Sequence, residues 1–373
     1  MIARQPEDSS VIRAGRRAFL KLPLAAATAA ILPSGAALQR RRNVIDEFDP
    51  ANIKLAHRVP ARISDDDLLF LKQIGMRWAR VEFGAEEEAL PDSIRATQQR
   101  YARFGIQIYS AVHPAYRSLK VQLGQAGRDE EIETFQRFVR DLGRLGIPVT
   151  NIDFHPANTY TTAMVESPRG YQAREFKLSD FRARVEKRQF EREYSAEEIW
   201  ANYTYFIRAV LPVAEQSNVK LALHPDDPPL EKMNGVAKVF VHYDGYHRAE
   251  QIAAGSRHWG LTFCIGTWSE GGDRMGKNVL EMIQDFGGRG KIFDVHFRNV
   301  SGPLPHFVET FPDDGYVDMY RVMRALRQVR FSGTVVPDHV PLLAGDQGIR
   351  RAGTAYCIAY MRALLRRANE EVG

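Results

Sequence analysis

Cysteine is nearly absent: Cys264 and Cys357 are the only two in 373 residues. That excludes a disulfide scaffold and a CxxC zinc ribbon, and leaves room for one disulfide at most. A surplus of one charge sign is missing too. The 51 Lys and Arg stand against 46 Asp and Glu, a net charge of +5, and the aromatics lie inside apolar runs rather than between basic residues. A nucleic-acid partner is therefore not expected. No Gly-rich phosphate fingerprint follows the first strand-like run, so a dinucleotide fold lacks its main signature. No apolar run reaches the ~20 residues that span a bilayer. What is present is a 44% apolar chain, long enough to bury a large core.

The first forty residues differ from the rest. Gly15-Arg-Arg-Ala-Phe-Leu-Lys21 precedes a small-residue apolar run at 22–32, then Pro33-Ser-Gly-Ala-Ala37. Basic, apolar, then small and polar is the order of a signal peptide, and the paired arginines resemble a twin-arginine export signal. Residues 1–37 are expected to be such a signal and the protein to be exported, most simply to a periplasm, with no stable membrane association after cleavage. The alternative is a basic N-terminus on a cytoplasmic protein.

Beyond residue 46, short β-branched or aromatic runs alternate with longer stretches of helical period. Strands are predicted at 53–57, 78–83, 106–113, 149–155, 219–224, 260–264, 292–296 and 334–338. Helices are predicted at 65–74, 93–104, 129–145, 196–216, 246–254, 277–286, 318–329 and 348–368. Eight strand–helix units in regular order predict an α/β fold, a single (β/α)8 TIM barrel over residues 46–373. Residues 156–195, after strand four, are too long for a turn. With Tyr160, Tyr171, Phe176, Phe181 and Phe190 they read as a lid-like insertion over the barrel mouth.

In such barrels the C-terminal strand ends form the active site, and five of them carry a histidine: His113, His155, His224, His296 and His339. Proline follows three of these, ending the ladder and holding the imidazole extended at the rim. Strand six ends in Cys264. Together, His224, Cys264, His296 and Asp338 form a nitrogen, sulfur and oxygen set that suits a divalent transition ion such as Mn2+, Fe2+ or Zn2+, and not Ca2+ or Mg2+ alone. Asp226 and Asp227 either orient His224, meet substrate hydroxyls, or cap the following turn. Arg298 and Asn299 are placed to fork onto a carboxylate or hydroxyl. His339 is the candidate for proton transfer, while His113 and His155 are further candidates for contact with substrate.

These blocks carry a family resemblance. His-Pro-Asp-Asp-Pro-Pro at 224–229, Cys-Ile-Gly at 264–266, Val-His-Phe-Arg-Asn-Val at 295–300, Asp-Gly-Tyr-Val-Asp-Met at 314–319 and Pro-Asp-His at 337–339 are similar to the mannonate dehydratase family of TIM-barrel lyases, within the xylose-isomerase-like superfamily. The resemblance implies a divalent metal, usually Mn2+ or Fe2+, at His224, Cys264, His296 and Asp338. It also implies dehydration of D-mannonate, a small-molecule sugar acid of hexuronate catabolism, to 2-keto-3-deoxy-D-gluconate. His339 matches the family's histidine beside the metal-binding aspartate. The family's N-terminal blocks are not evident in residues 50–90, and its late tyrosine has no direct match. Tyr356, in Ala352-Gly-Thr-Ala-Tyr356, is the expected substitute. Most relatives work in the cytoplasm, whereas this chain reads as exported; twin-arginine export carries folded proteins, so metal loading before export is compatible with both. A homo-oligomer is compatible with the sequence but not specified by it. A sugar isomerase or epimerase on a related barrel is the nearest alternative, but those sites are carboxylate-rich and a Cys ligand argues against them. An exported, non-catalytic sugar-acid binding protein would require a broken metal set, and all four candidate ligands are present.

Overall fold

The structure is a computed structural model and describes residues 46–373, Ala85 excepted. The expected signal at 1–37 lies outside the described residues. Fourteen strands follow in chain order: β1 (Lys54–Pro60), β2 (Trp78–Glu82), β3 (Gln107–Val112), β4 (Val149–Ile152), β5 (Ala163–Glu166), β6 (Gln172–Lys177), β7 (Lys220–Leu223), β8 (Lys232–Met233), β9 (Val236–Ala237), β10 (Trp259–Cys264), β11 (Ile292–His296), β12 (Asn299–Val300), β13 (His306–Thr310) and β14 (Thr334–Val336). Eight of them close a barrel in the order β1-β14-β11-β10-β7-β4-β3-β2, with parallel neighbours throughout. The predicted (β/α)8 barrel is the observed one. Apolar residues on the strands and inner helix faces, among them Leu221, Leu223, Leu261, Val295 and Val335, form one continuous core.

Helices occupy the predicted places because local chemistry starts and stops them. Ser64 caps Asp65–Gln73 by accepting from the Asp67 amide, and Ser195 with Glu198 forms a reciprocal capping box on Ala196–Gln216, which satisfies otherwise orphaned amides. The predicted helix at 277–286 is shorter and broken: Val279–Met282, begun by an Asn278–Glu281 capping box, passes into a π turn over Ile283–Gly287. Strand ends also move inward. His113, His155 and His224 lie just beyond β3, β4 and β7, since the prolines that follow them cannot continue the ladder.

The insertion is a built layer. β5 and β6 form a hairpin, β6 pairs antiparallel with β13, and β13 pairs with β12, giving a four-stranded sheet in the order β12-β13-β6-β5. Half of that sheet comes from a second excursion, after β11, that the pattern of residues 299–310 did not announce. Phe176, Phe181, Leu230, Met233, Val300, Leu304 and Phe307 give the layer its own small core. Both cysteines are free and buried, which removes the possible disulfide. Among the described residues no helix is long and apolar enough to cross a membrane.

Candidate active site

The Pro225 carbonyl accepts from two imidazoles, His224 Nδ1 at 2.7 Å and His155 Nε2 at 2.5 Å. A carbonyl only accepts, so both of those nitrogens carry the proton. His224 Nε2 is thereby left as a lone pair, facing His296 Nδ1 at 3.1 Å. Beneath them the buried Cys264 sulfur accepts from the Thr267 hydroxyl at 3.1 Å and its amide at 3.5 Å. Ligand atoms of His224, Cys264 and His296 all lie within 4.8 Å of one another. Burial pushes His224 down to about 3 and His296 well below the usual imidazole range, so both rings are neutral; burial pushes the Cys264 thiol up. The other ring nitrogen of His296, Nε2, is buried without a hydrogen-bond partner. Neutral imidazoles and a sulfur converging in this way fit a divalent transition ion, with the tautomer of His224 fixed from behind by a backbone carbonyl.

Asp338 flanks this trio. One of its oxygens is 3.7 Å from His296 Nδ1 and 3.2 Å from Arg298 Nη1, the other 3.9 Å from Arg58 Nη1. His339 follows in the left-handed region at φ 46°. Its Nδ1 lies 2.8 Å from Glu309 Oε1 and touches Arg298, and its Nε2 lies 3.4 Å from Arg174.

Several sequence-based assignments change. Arg298 is not a fork open to substrate: it is 1% exposed and its guanidinium is spent on Glu270 at 2.6 Å, Asp227 at 2.9 Å, and Glu309 and Asp338 at 3.2 Å. Gly266 makes room for it, since any side chain there would collide with the guanidinium. Burial pushes the Glu270 carboxyl well above its usual range. Burial would raise Asp227 and Asp338 as well, but Arg298 and His339 overcome that and hold both low. Asp226 is buried and accepts from the Val239 and Phe240 amides, and it does not line the mouth cavity. Asn299 braces a loop, donating to the Pro312 and Val317 carbonyls. His113 turns away from the mouth, stacks near Phe138 and caps a short turn by accepting from the Ala115 amide. Tyr356 sits on the outer surface, 38% exposed, with its hydroxyl on Asp313 and Arg169. It does not line the mouth cavity.

His155, His224, His296, Asp338 and His339 do meet, around a cavity of about 500 Å3 at the mouth. A set of arginines at the same cavity was not anticipated: Arg58, Arg80, Arg117, Arg174 and Arg350 all line it. Arg117 is tied to Asp153 at 2.5 Å and Arg58 to Glu82 at 2.6 Å. Arg80 is buried, spends Nε on Asn151 at 2.9 Å, and leaves Nη1 without a hydrogen-bond partner. Burial would raise the Asp153 carboxyl, but the Arg117 guanidinium paired with it helps hold it well below its usual range. One signal could have exposed part of this set. Arg80 and Glu82 are two apart in a strand otherwise apolar, so both project to the same face, and in a barrel that face is the interior.

The fold defines a class, the (β/α)8 barrels. A solved xylose isomerase-like TIM barrel protein from Mycobacterium smegmatis, 13% identical, superposes with a TM-score of 0.56 over 86% of this chain and 99% of that one, a likeness of fold alone. The family model described as D-mannonate dehydratase (UxuA) matches residues 170–371, and the chain belongs to that family. The mannonate dehydratase of Oceanobacillus iheyensis is 27% identical over 336 residues, 81% of this chain and 88% of its own length. The crystal structure of the mannonate dehydratase from Streptococcus suis serotype 2 is 26% identical, with a TM-score of 0.77 over 86% of this chain and 96% of that chain.

Proposed function

We propose that this protein dehydrates D-mannonate to 2-keto-3-deoxy-D-gluconate and water, with a divalent metal at His224, Cys264 and His296 and with Asp338 beside them. The observation that carries the reading is the pairing of that donor set with a group of arginines at one cavity. When bound, the ion, Mn2+ or Fe2+ as the family resemblance implies, supplies positive charge against the charge that develops on the substrate as its proton leaves.

The residues of the chain do the rest. Arg80 turns Nη1, which lies 3.8 Å from Glu82 and has no hydrogen-bond partner, to the substrate carboxylate, in a buried setting where a charge-assisted bond contributes roughly 1.5–3 kcal/mol. Arg58, one strand away, adds positive potential at the same cavity. His339 takes the proton from the carbon next to the carboxylate. With Nδ1 donating to Glu309, Nε2 is the basic nitrogen for that transfer, held in the resting site by a long contact of 3.4 Å from an Arg174 N–H that the substrate displaces. The sheet above, through Arg174 on β6, narrows the mouth and keeps bulk water from the reacting carbon. We further propose export by the paired arginines at 16–17, with the folded, metal-loaded barrel as cargo.

The test is direct. Purified protein is assayed for bound metal and incubated with a panel of aldonic acids, and 2-keto-3-deoxy acid is measured. Product from D-mannonate is expected; bound metal with no product from any acid contradicts the reading and leaves a binding protein.

A further inference from the structure

We propose that Tyr160, carried by the insertion, is a catalytic residue that donates the proton to the departing hydroxyl. The inference rests on the dehydration proposed above and goes beyond it by naming the acid.

Tyr160 lines the mouth cavity, and its ring meets the ring of His339 edge-on at 6.3 Å between centroids. The two reacting positions in a dehydration are adjacent carbons, so the proton taker and the proton donor must stand a few ångströms apart at one cavity wall. His339 and Tyr160 do. The phenol is also held by a defined partner. Because His155 Nε2–H is spent on the Pro225 carbonyl, His155 Nδ1 is a lone pair, and it faces the Tyr160 hydroxyl at 3.3 Å. That distance is long for a hydroxyl donor, so the imidazole fixes the oxygen in place while the proton stays free to swing to a substrate oxygen. His155 is thus a positioning residue. Burial, with Asp153 and Asp227 adding to it, pushes the phenol up, which keeps it a donor. Arg117 and a hydrogen bond from Asn158 act the other way and stabilise the phenolate once the proton has gone.

Other hydroxyls at this cavity are committed. Tyr116 is bound to Asp153 at 3.2 Å, and Thr262 donates to the Ala222 carbonyl at 3.1 Å. Tyr356 lies outside, on Asp313.

The step balances. The base takes the C2 proton, the C2–H pair becomes the C2–C3 double bond, and the C3–O bond breaks with its pair on oxygen. The Tyr160 proton joins that oxygen and water leaves. The proton held by the base returns to the phenolate through solvent, and the enol becomes the ketone.

The experiment compares native enzyme and Tyr160→Phe on D-mannonate and on 3-deoxy-3-fluoro-D-mannonate, with metal content measured in both proteins. Fluoride needs no proton to leave. We expect kcat on D-mannonate to fall about 100-fold or more, the lower range for a lost general acid, with KM and metal content unchanged within threefold and fluoride release preserved. An unchanged kcat on D-mannonate, or an equal fall on both substrates, overturns the assignment while leaving the dehydratase reading intact. Should the native enzyme release no fluoride, the split between kcat and KM on D-mannonate decides alone. No product from the native enzyme with any aldonic acid removes both.

Discussion

The two halves of the barrel mouth are built for opposite charges. Strands β7, β10, β11 and β14 end in His224, Cys264, His296 and Asp338, where neutral imidazoles and a thiol converge. In the other half of the barrel, β1 and β2 carry Arg58 and Arg80, and Arg117 follows β3; the halves meet where β1 pairs with β14, and there Arg58 Nη1 lies 3.9 Å from Asp338. One half suits a cation and the other an anion. A sugar acid has both needs, a carboxylate to be gripped and a neighbouring proton to be made removable, and a cavity lined by both can orient it before any chemistry starts. The buried hub at Arg298 belongs to neither half: it neutralises the carboxylates that would otherwise crowd the cation side.

The sharpest way to break the comparison is on the cation side. His296→Ala is expected to lose bound metal and, at several kcal/mol of charge stabilisation and tenfold per 1.36 kcal/mol, about a thousandfold or more in kcat. Metal analysis beside steady-state kinetics checks both. Next in size is Arg298→Met, which strands four carboxylates. Breaking a buried pair costs ~3–5 kcal/mol, so a large fall in thermal midpoint is expected; a variant of native stability with only KM raised would restore Arg298 to substrate binding. On the anion side, Arg80→Lys keeps a charge but loses the planar fork. A rise of roughly tenfold in KM is expected from a charged hydrogen bond of ~1.5–3 kcal/mol partly retained, with metal content intact. If Arg80→Lys instead loses metal, the two halves are not separate devices. The smallest effect is reserved for Tyr356→Phe, whose kcat and KM should both stay within about twofold, because its hydroxyl faces Asp313 and Arg169 on the outer surface.

The same division separates what was legible in the sequence from what was not. Eight alternating units announced the barrel, and His-Pro steps and Cys264 announced the cation side, because a strand's end can be read from the residue that stops it. The arginine set was hidden because Arg58 and Arg80 lie within strands, where a charged residue reads as facing solvent; closure of the barrel turns that face inward. The covering sheet was hidden for a different reason. β6 pairs with β13, His306 against Lys177, and no local pattern reports a partner more than a hundred residues away. Depth was the third blind spot. Asp226, Arg298 and Asn299 follow strand ends as expected, yet their side chains turn into buried hydrogen bonds, and position along the chain does not distinguish a side chain that lines a cavity from one buried behind it.

The central claim is that one ligand bridges a cation side and an anion side. It is tested most directly by following 2-keto-3-deoxy-D-gluconate formation from D-mannonate with the native protein, then after chelation, then after Mn2+ is restored. The account predicts product, its loss on chelation and its recovery with metal. Metal-loaded protein that forms no such product, or product formation indifferent to chelation, would contradict it.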